Sequence, residues 1–174
     1  MHSELVSPTL NHILRCERML DVVEDLIGPD ISLYHSKLLL KAARVGTAIP
    51  WHQDYAYWQR EDNRPLMVNC QLAIDEATLE NGCIEFVPGS HKWGLQEHER
   101  AQRAFGVYLS GYYKRDDAVP VEMEPGDGVF FNSLIIHGSG PNISERDRRM
   151  NTFAYNVTGN SMTQCRDILR GRRR

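Results

Sequence analysis

The sequence predicts a mainly β protein, a sandwich or barrel led by one helix. Three observations carry this. Short strand-like stretches recur along the chain, alternating at 66–75 and 148–157, as apolar runs at 83–87 and 129–137, and again at 31–41 and 119–123. Turn signals separate them: Gly28-Pro29-Asp30, Asn81-Gly82, Pro88-Gly89-Ser90 and Pro125-Gly126-Asp127-Gly128. Helical periodicity appears once, in front, and does not alternate with the strands, which argues against a parallel α/β sheet.

The chain has 174 residues, which suits one domain over 1–174. Its formal net charge of −3 excludes a general nucleic-acid binder. No apolar run is long enough to span a membrane, and the N-terminus lacks a signal-peptide core. Cys16, Cys70, Cys83 and Cys165 are scattered and form no C-x-x-C pair. This fits a reducing compartment and a cytoplasmic location.

In order, residues 11–27 read as one amphipathic helix, with Ile13, Leu14, Met19, Leu20, Val22, Val23, Leu26 and Ile27 near helical spacing, packed outside a sheet. Gly28-Pro29 stops it. The strand at 66–75 puts Val68, Cys70, Leu72 and Ile74 on one face, and Met67, Asn69, Gln71 and Ala73 on the other. That polar face is either solvated or the wall of a polar cavity. Tyr55, Tyr57 and Trp58 either line a mouth or cover the core; the core is preferred. Residues 92–117 are polar and irregular, with a short helix near 96–103. The run 129–137 reads as one strand, and 158–174 as a basic, solvated tail.

The chemistry sits in Trp51-His52-Gln53-Asp54. His52 and Asp54 are two apart, so in an extended segment they share a face and can reach one metal ion. Alone this triplet is weak evidence. The segment His137-Gly138-Ser139-Gly140-Pro141-Asn142 adds a third ligand, His137, at the end of an apolar strand. Two histidines and one carboxylate on one face of an octahedral ion define the facial triad of non-haem iron(II) oxygenases. Arg148 lies eleven residues beyond His137, where its guanidinium fork can grip a carboxylate. Three arginines crowd this segment. Arg149 alternates to the other side of the strand, and Arg146 falls in a turn where a surface pairing is expected. The remaining histidines, His2, His12, His35, His91 and His98, read as ordinary turn, strand or surface residues.

Four segments together resemble the phytanoyl-CoA dioxygenase family of iron(II)- and 2-oxoglutarate-dependent oxygenases: Trp51 to Asp54, Glu80 to Cys83, Val87 to Lys92, and His137 to Arg149. The resemblance runs from about Ile31 to about Val157. It narrows the fold to the double-stranded β-helix, a cupin-like jelly roll, with the triad at its open mouth. It implies Fe(II), 2-oxoglutarate and O2 as cofactor and co-substrates. Arg148 and Ser139 would hold the far carboxylate of 2-oxoglutarate, with Gln71 and Lys37 lining its pocket. A small organic or acyl substrate would be hydroxylated with release of succinate and CO2. Asp54 favours hydroxylation, since halogenating relatives carry a small residue there. Against the family pattern the chain is short at both ends, so a sheet edge is expected to be uncovered and open to a second copy. Two other classes remain: a cupin-type metal enzyme without a keto acid, and an inactive metal-binding module.

Overall fold

The computed structural model describes residues 2–59, 64–100, 106–109, 116–160 and 167–171. Its helices are α1 (Ser3–Val6), α2 (Pro8–Arg15), α3 (Glu17–Ile27) and, after the second strand, α4 (Tyr55–Trp58). The strands are β1 (Ile31–Lys41), β2 (Ile49–His52), β3 (Met67–Ala73), β4 (Ile84–Phe86), β5 (His98–Arg100) and β6 (Val107–Leu109). They continue with β7 (Val119–Val121), β8 (Gly128–Asn132), β9 (His137–Ser139), β10 (Arg148–Val157) and β11 (Asp167–Arg170). Two antiparallel sheets form the jelly roll: β11-β1-β10-β3-β8 and β2-β9-β4-β7. The pair β5-β6 stands apart.

The one helix expected over 11–27 is two, α2 and α3, with the short α1 ahead of them. Ser7 caps α2 by accepting from the Leu10 amide, and Pro8 takes the first turn, where no backbone donor is needed. Cys16 then adopts extended backbone and breaks the run before α3. Periodicity alone does not reveal this one-residue break. Leu14, Met19, Leu20 and Val23 pack on Ile31, Leu33, Val68, Cys70, Leu72, Phe153 and Tyr155, the outer face of the large sheet. The Tyr155 hydroxyl donates to the Leu14 carbonyl, tying helix to sheet.

One irregularity in β1 sets up the interior. Leu33 pairs with Tyr155 and His35 with Ala154, so Tyr34 is an extra, bulged residue. Past the bulge, His35, Lys37, Leu39 and Lys41 face the second sheet. So do Arg148, Met150, Thr152 and Ala154 of β10 and Met67, Asn69, Gln71 and Ala73 of β3, by register. The polar face of residues 66–75 is therefore a cavity wall; all of β3 is buried.

Other expectations are corrected. The run 129–137 is two strands in different sheets. An Asx turn in which the Leu134 amide donates to Asn132 Oδ1 carries the chain from β8 to β9. The helix expected near 96–103 is instead strand β5 as far as Arg100, with 101–105 outside the described residues. Tyr55 to Trp58 forms the helical turn α4. The tail is not wholly free: β11 pairs with β1, and Arg170 pairs with Asp21 and Glu24 of α3. Among the described residues no helix is long and apolar enough to cross a membrane. Cys16, Cys70 and Cys83 are free.

Candidate active site

His52 ends β2 and His137 opens β9, and the two are cross-strand partners. Their rings lie 4.2 Å apart between centroids. Asp54 follows β2 at the start of α4 and reaches both, 3.6 Å from His52 Nε2 and 3.7 Å from His137 Nε2. One ligand atom from each of the three residues lies within 4.8 Å of the others. Among the described residues this is the one such group of His, Cys, Asp and Glu. Gly138 allows the close approach of β2, because a Cβ there would press on the Ile49 carbonyl and the Trp51 ring.

The surroundings prepare all three for a metal. His52 Nδ1 bonds the Pro50 carbonyl at 2.8 Å, and His137 Nδ1 bonds the Ile135 carbonyl at 3.0 Å. A carbonyl can only accept, so Nδ1 carries the proton and the Nε2 lone pairs face Asp54. Burial pushes His137 down to about 4, with His52 adding to the shift, so it is neutral at pH 7. Burial opposes ionisation of Asp54, yet protonated His137, protonated His52 and Lys37 would each pull its carboxyl the other way, and the net direction is well below its usual range. Asn69 Nδ2 donates to Asp54 Oδ2 and fixes the carboxylate's direction.

Gln53, between the two ligands, points away from the cavity. Its amide nitrogen donates to the Gly94 and Leu134 carbonyls, and its Oε1 accepts from the Gln96 amide. Its backbone amide donates to His98 Nε2 at 3.0 Å. Tyr57 lies edge-on to His52, 6.0 Å between centroids, and is 37% exposed. It lines the mouth, against the preferred core reading, whereas Trp58 is in the core with Tyr34, Met67 and Ala154.

At the other end of the cavity stand two buried cations. Lys41 and Arg148 are direct partners across β1 and β10, 4% and 3% exposed. Like charges placed opposite each other destabilise a strand pair. Among the described residues neither forms an ion pair with a carboxylate. Lys41 Nζ donates to Ser139 Oγ at 2.8 Å and to the Gly140 carbonyl. Arg148 Nη2 donates to the Gly82 carbonyl at 2.8 Å, and its Nε has no partner. Gln71 Oε1 and Thr152 Oγ1, on the same wall, are also buried without partners. Burial of unsatisfied polar atoms is costly unless a ligand meets them. Arg149 and Arg146 point outward, paired with Asp75 at 2.7 Å and Glu76 at 2.9 Å.

Of the residues expected from sequence, His52, Asp54, His137, Ser139, Arg148, Gln71 and Lys37 all line one cavity of about 920 Å³, within the range of ligand sites. Lys37 is half-buried opposite Thr152 and makes no hydrogen bond or ion pair with a described residue. Three residues escaped the sequence reading: Lys41, Asn69 and His98. Lys41 shares Lys37's strand parity, and Asn69 shares Gln71's, so parity was the available signal. His98 reaches Gln53 only through the fold.

Fold and site together give a jelly roll that carries a candidate facial triad for a metal ion. The model for the family Phytanoyl-CoA dioxygenase (PhyH) matches residues 2–150, and the chain belongs to that family. It is 36% identical over 161 residues to a probable phytanoyl-CoA dioxygenase of Caenorhabditis elegans, covering 85% of this chain and 51% of that one. It is 30% identical over 169 residues to L-proline trans-4-hydroxylase of Streptomyces griseoviridis, covering 86% and 63%. The chain thus spans about half to two thirds of the length of these relatives. Among solved structures, a non-heme monooxygenase, ThoJ, superposes with a TM-score of 0.80 at 23% identity, over 94% of this chain and 62% of that one. EctD from S. alaskensis with 2-oxoglutarate and 5-hydroxyectoine gives 0.74 at 23% identity, over 97% and 62%. These likenesses support the double-stranded β-helix fold.

Proposed function

We propose that the protein is an iron(II)- and 2-oxoglutarate-dependent dioxygenase that hydroxylates a small organic or acyl substrate. The observation that carries this is the pairing, in one cavity, of a three-ligand metal triad with a buried two-cation cradle. A metal-binding module has no use for the second, and a cupin that uses no keto acid leaves it unexplained.

His52 Nε2, His137 Nε2 and an Asp54 oxygen are the metal ligands, and three donors on one face suit a six-coordinate ion with positions left open. Iron(II) held there supplies the site at which a keto acid and dioxygen can meet, and so the oxidising chemistry. The rest is done by this chain's own side chains. Arg148, with its free Nε, Lys41 and the Ser139 hydroxyl take the far carboxylate of 2-oxoglutarate. Gln71 and Thr152 line its path. This anion also resolves the opposed charges of Lys41 and Arg148. Asn69 keeps Asp54 on the metal, and the carbonyls of Pro50 and Ile135 keep the imidazoles in the binding tautomer. The buried walls exclude water from the reacting atoms. Longer relatives are named for small molecules, L-proline trans-4-hydroxylase and ectoine dioxygenase, which supports a small-molecule substrate.

Titration of 2-oxoglutarate into the anaerobic iron(II) protein tests this. A metal-to-ligand charge-transfer band is expected to grow to one equivalent, and O2 then releases succinate. Metal binding with no band on adding 2-oxoglutarate would support the keto-acid-independent alternative instead. His52→Ala retaining full metal stoichiometry would overturn the ligand set.

A further inference from the structure

The cavity holds more positive charge than the metal and keto acid account for. Among the described residues lining it, Asp54 is the one acid, whereas Lys37, Lys41 and Arg148 are cations. A divalent metal on Asp54 leaves one positive charge, the three side chains bring three more, and 2-oxoglutarate removes two. Two stay unmatched by the lining, one of them on the half-buried Lys37; the further carboxylate whose charge reaches His35, Glu4, is engaged by His2 at 3.3 Å and by the Ser36 hydroxyl. Lys41 and Arg148 are engaged at one end with Ser139 and Gly82. Lys37 is not: it stands four residues up β1, about 13 Å away at the rise of an extended strand.

A neutral donor stands beside it. His35 shares the cavity face of β1, and its Nε2 is buried with no partner. Its ring rests against Tyr34 at 5.2 Å and Trp58 at 5.6 Å, so it is held rather than free to turn out. Burial, then Lys37, pushes it down to about 4, so the imidazole is neutral. The strand register puts His35 level with Ala154 and Asn69, and Asn69 bonds the metal ligand Asp54. His35 is thus at the height of the metal, on the side away from Arg148.

We propose that Lys37 and His35 together receive an acidic group of the substrate, so that the substrate is an organic oxyanion, a carboxylate or a phosphorus oxyanion. This rests on the dioxygenase reading above and assigns Lys37 to the substrate rather than to 2-oxoglutarate, whose far carboxylate is already met by Arg148, Lys41 and Ser139. The charge-assisted hydrogen bond from Lys37 supplies attraction. The fixed imidazole beside it supplies direction.

The test uses the anaerobic iron(II) protein saturated with 2-oxoglutarate, titrated with inorganic phosphate and, separately, with acetate. The probe is calorimetry together with the position of the charge-transfer band. Wild type is expected to bind one of the two anions. Lys37→Met is expected to weaken that binding about tenfold or more while 2-oxoglutarate affinity stays within about twofold. His35→Phe should weaken it less, and His35→Gln should restore part of the loss. The stronger of the two anions identifies the oxyanion class. Equal anion binding by wild type and Lys37→Met would mean coordination at the metal, and would overturn the proposal. So would a Lys37→Met protein that loses 2-oxoglutarate affinity and keeps the anion, for then Lys37 serves the keto acid. A wild type with no charge-transfer band would overturn the underlying dioxygenase reading and this one with it.

Discussion

The two faces of the large sheet are built from the same strands and do opposite work. The outer face carries Leu33, Val68, Cys70, Leu72, Phe153 and Tyr155 and is sealed by α2 and α3. The inner face carries Lys41, Asn69, Gln71, Arg148 and Thr152 at similar depth, with Lys37 half-buried beside them. Burying the first set is favourable by itself, at roughly 25 cal/mol per Å² of apolar surface. Burying the second is unfavourable until something meets its polar atoms. One face therefore stabilises the fold and the other stores the site. Substitutions on the two faces should separate cleanly in what they change.

The largest separation is at the metal. Asp54→Ala is expected to abolish succinate release, because two histidines alone do not make the triad. Succinate and product formation at the wild-type rate would show the carboxylate is no ligand. Arg148→Ala comes next. Removing one partner of a buried charge pair costs roughly 3–5 kcal/mol, so 2-oxoglutarate should bind at least about a hundredfold more weakly, with iron still bound. Arg146→Ala and Arg149→Ala should bind it like wild type, since both guanidinium groups face solvent against Glu76 and Asp75. On the outer face, Leu33→Ala should lower unfolding stability by about 2–5 kcal/mol. Denaturant titration should show this while 2-oxoglutarate affinity per folded molecule is unchanged; a parallel loss of affinity would mean the faces are coupled. Asn69→Ala is smaller. Loss of an outer partner of a metal ligand typically costs about 10–100-fold in metal affinity, readable by competition with a chelator.

Much of this division was legible in the sequence. Period-two alternation separated Val68, Cys70 and Leu72 from Asn69 and Gln71, and the strands 31–41 and 148–157 coincide with β1 and β10. The triad was legible because its residue types are few and two members stand two positions apart. What stayed hidden depended on register between distant segments. Parity puts Lys37 and Lys41 on one face, but only the pairing of β1 with β10 shows that Lys41 faces Arg148. The bulge at Tyr34 shifts the parity of β1 and has no composition signal. The break at Cys16, the split of β8 from β9 and the docking of β11 on β1 are likewise set by tertiary contacts that local propensity does not encode.

The smallest effect expected is at Lys41, and it carries a pH signature. Burial, then the charge of Arg148, pushes Lys41 down to about 8 in the folded protein, against about 10.4 for a free lysine. Between these two values the unfolded chain holds the proton and the folded, ligand-free chain does not. Stability must therefore rise with pH across that window, and the cost of the buried charge is fully present below about pH 8. Bound 2-oxoglutarate does the reverse: its carboxylate favours the charged lysine, so its affinity should fall as pH rises above about 8. Lys41→Met should flatten both trends. It should unfold at higher denaturant than wild type at neutral pH, and it should bind 2-oxoglutarate about tenfold more weakly there, the worth of one charged hydrogen bond. Parallel denaturant and 2-oxoglutarate titrations of the two proteins on both sides of pH 8 measure this. A wild-type affinity that stays flat across the window, or a Lys41→Met protein that keeps the wild-type slope, would show that the anion is held by Arg148 and Ser139 without the lysine.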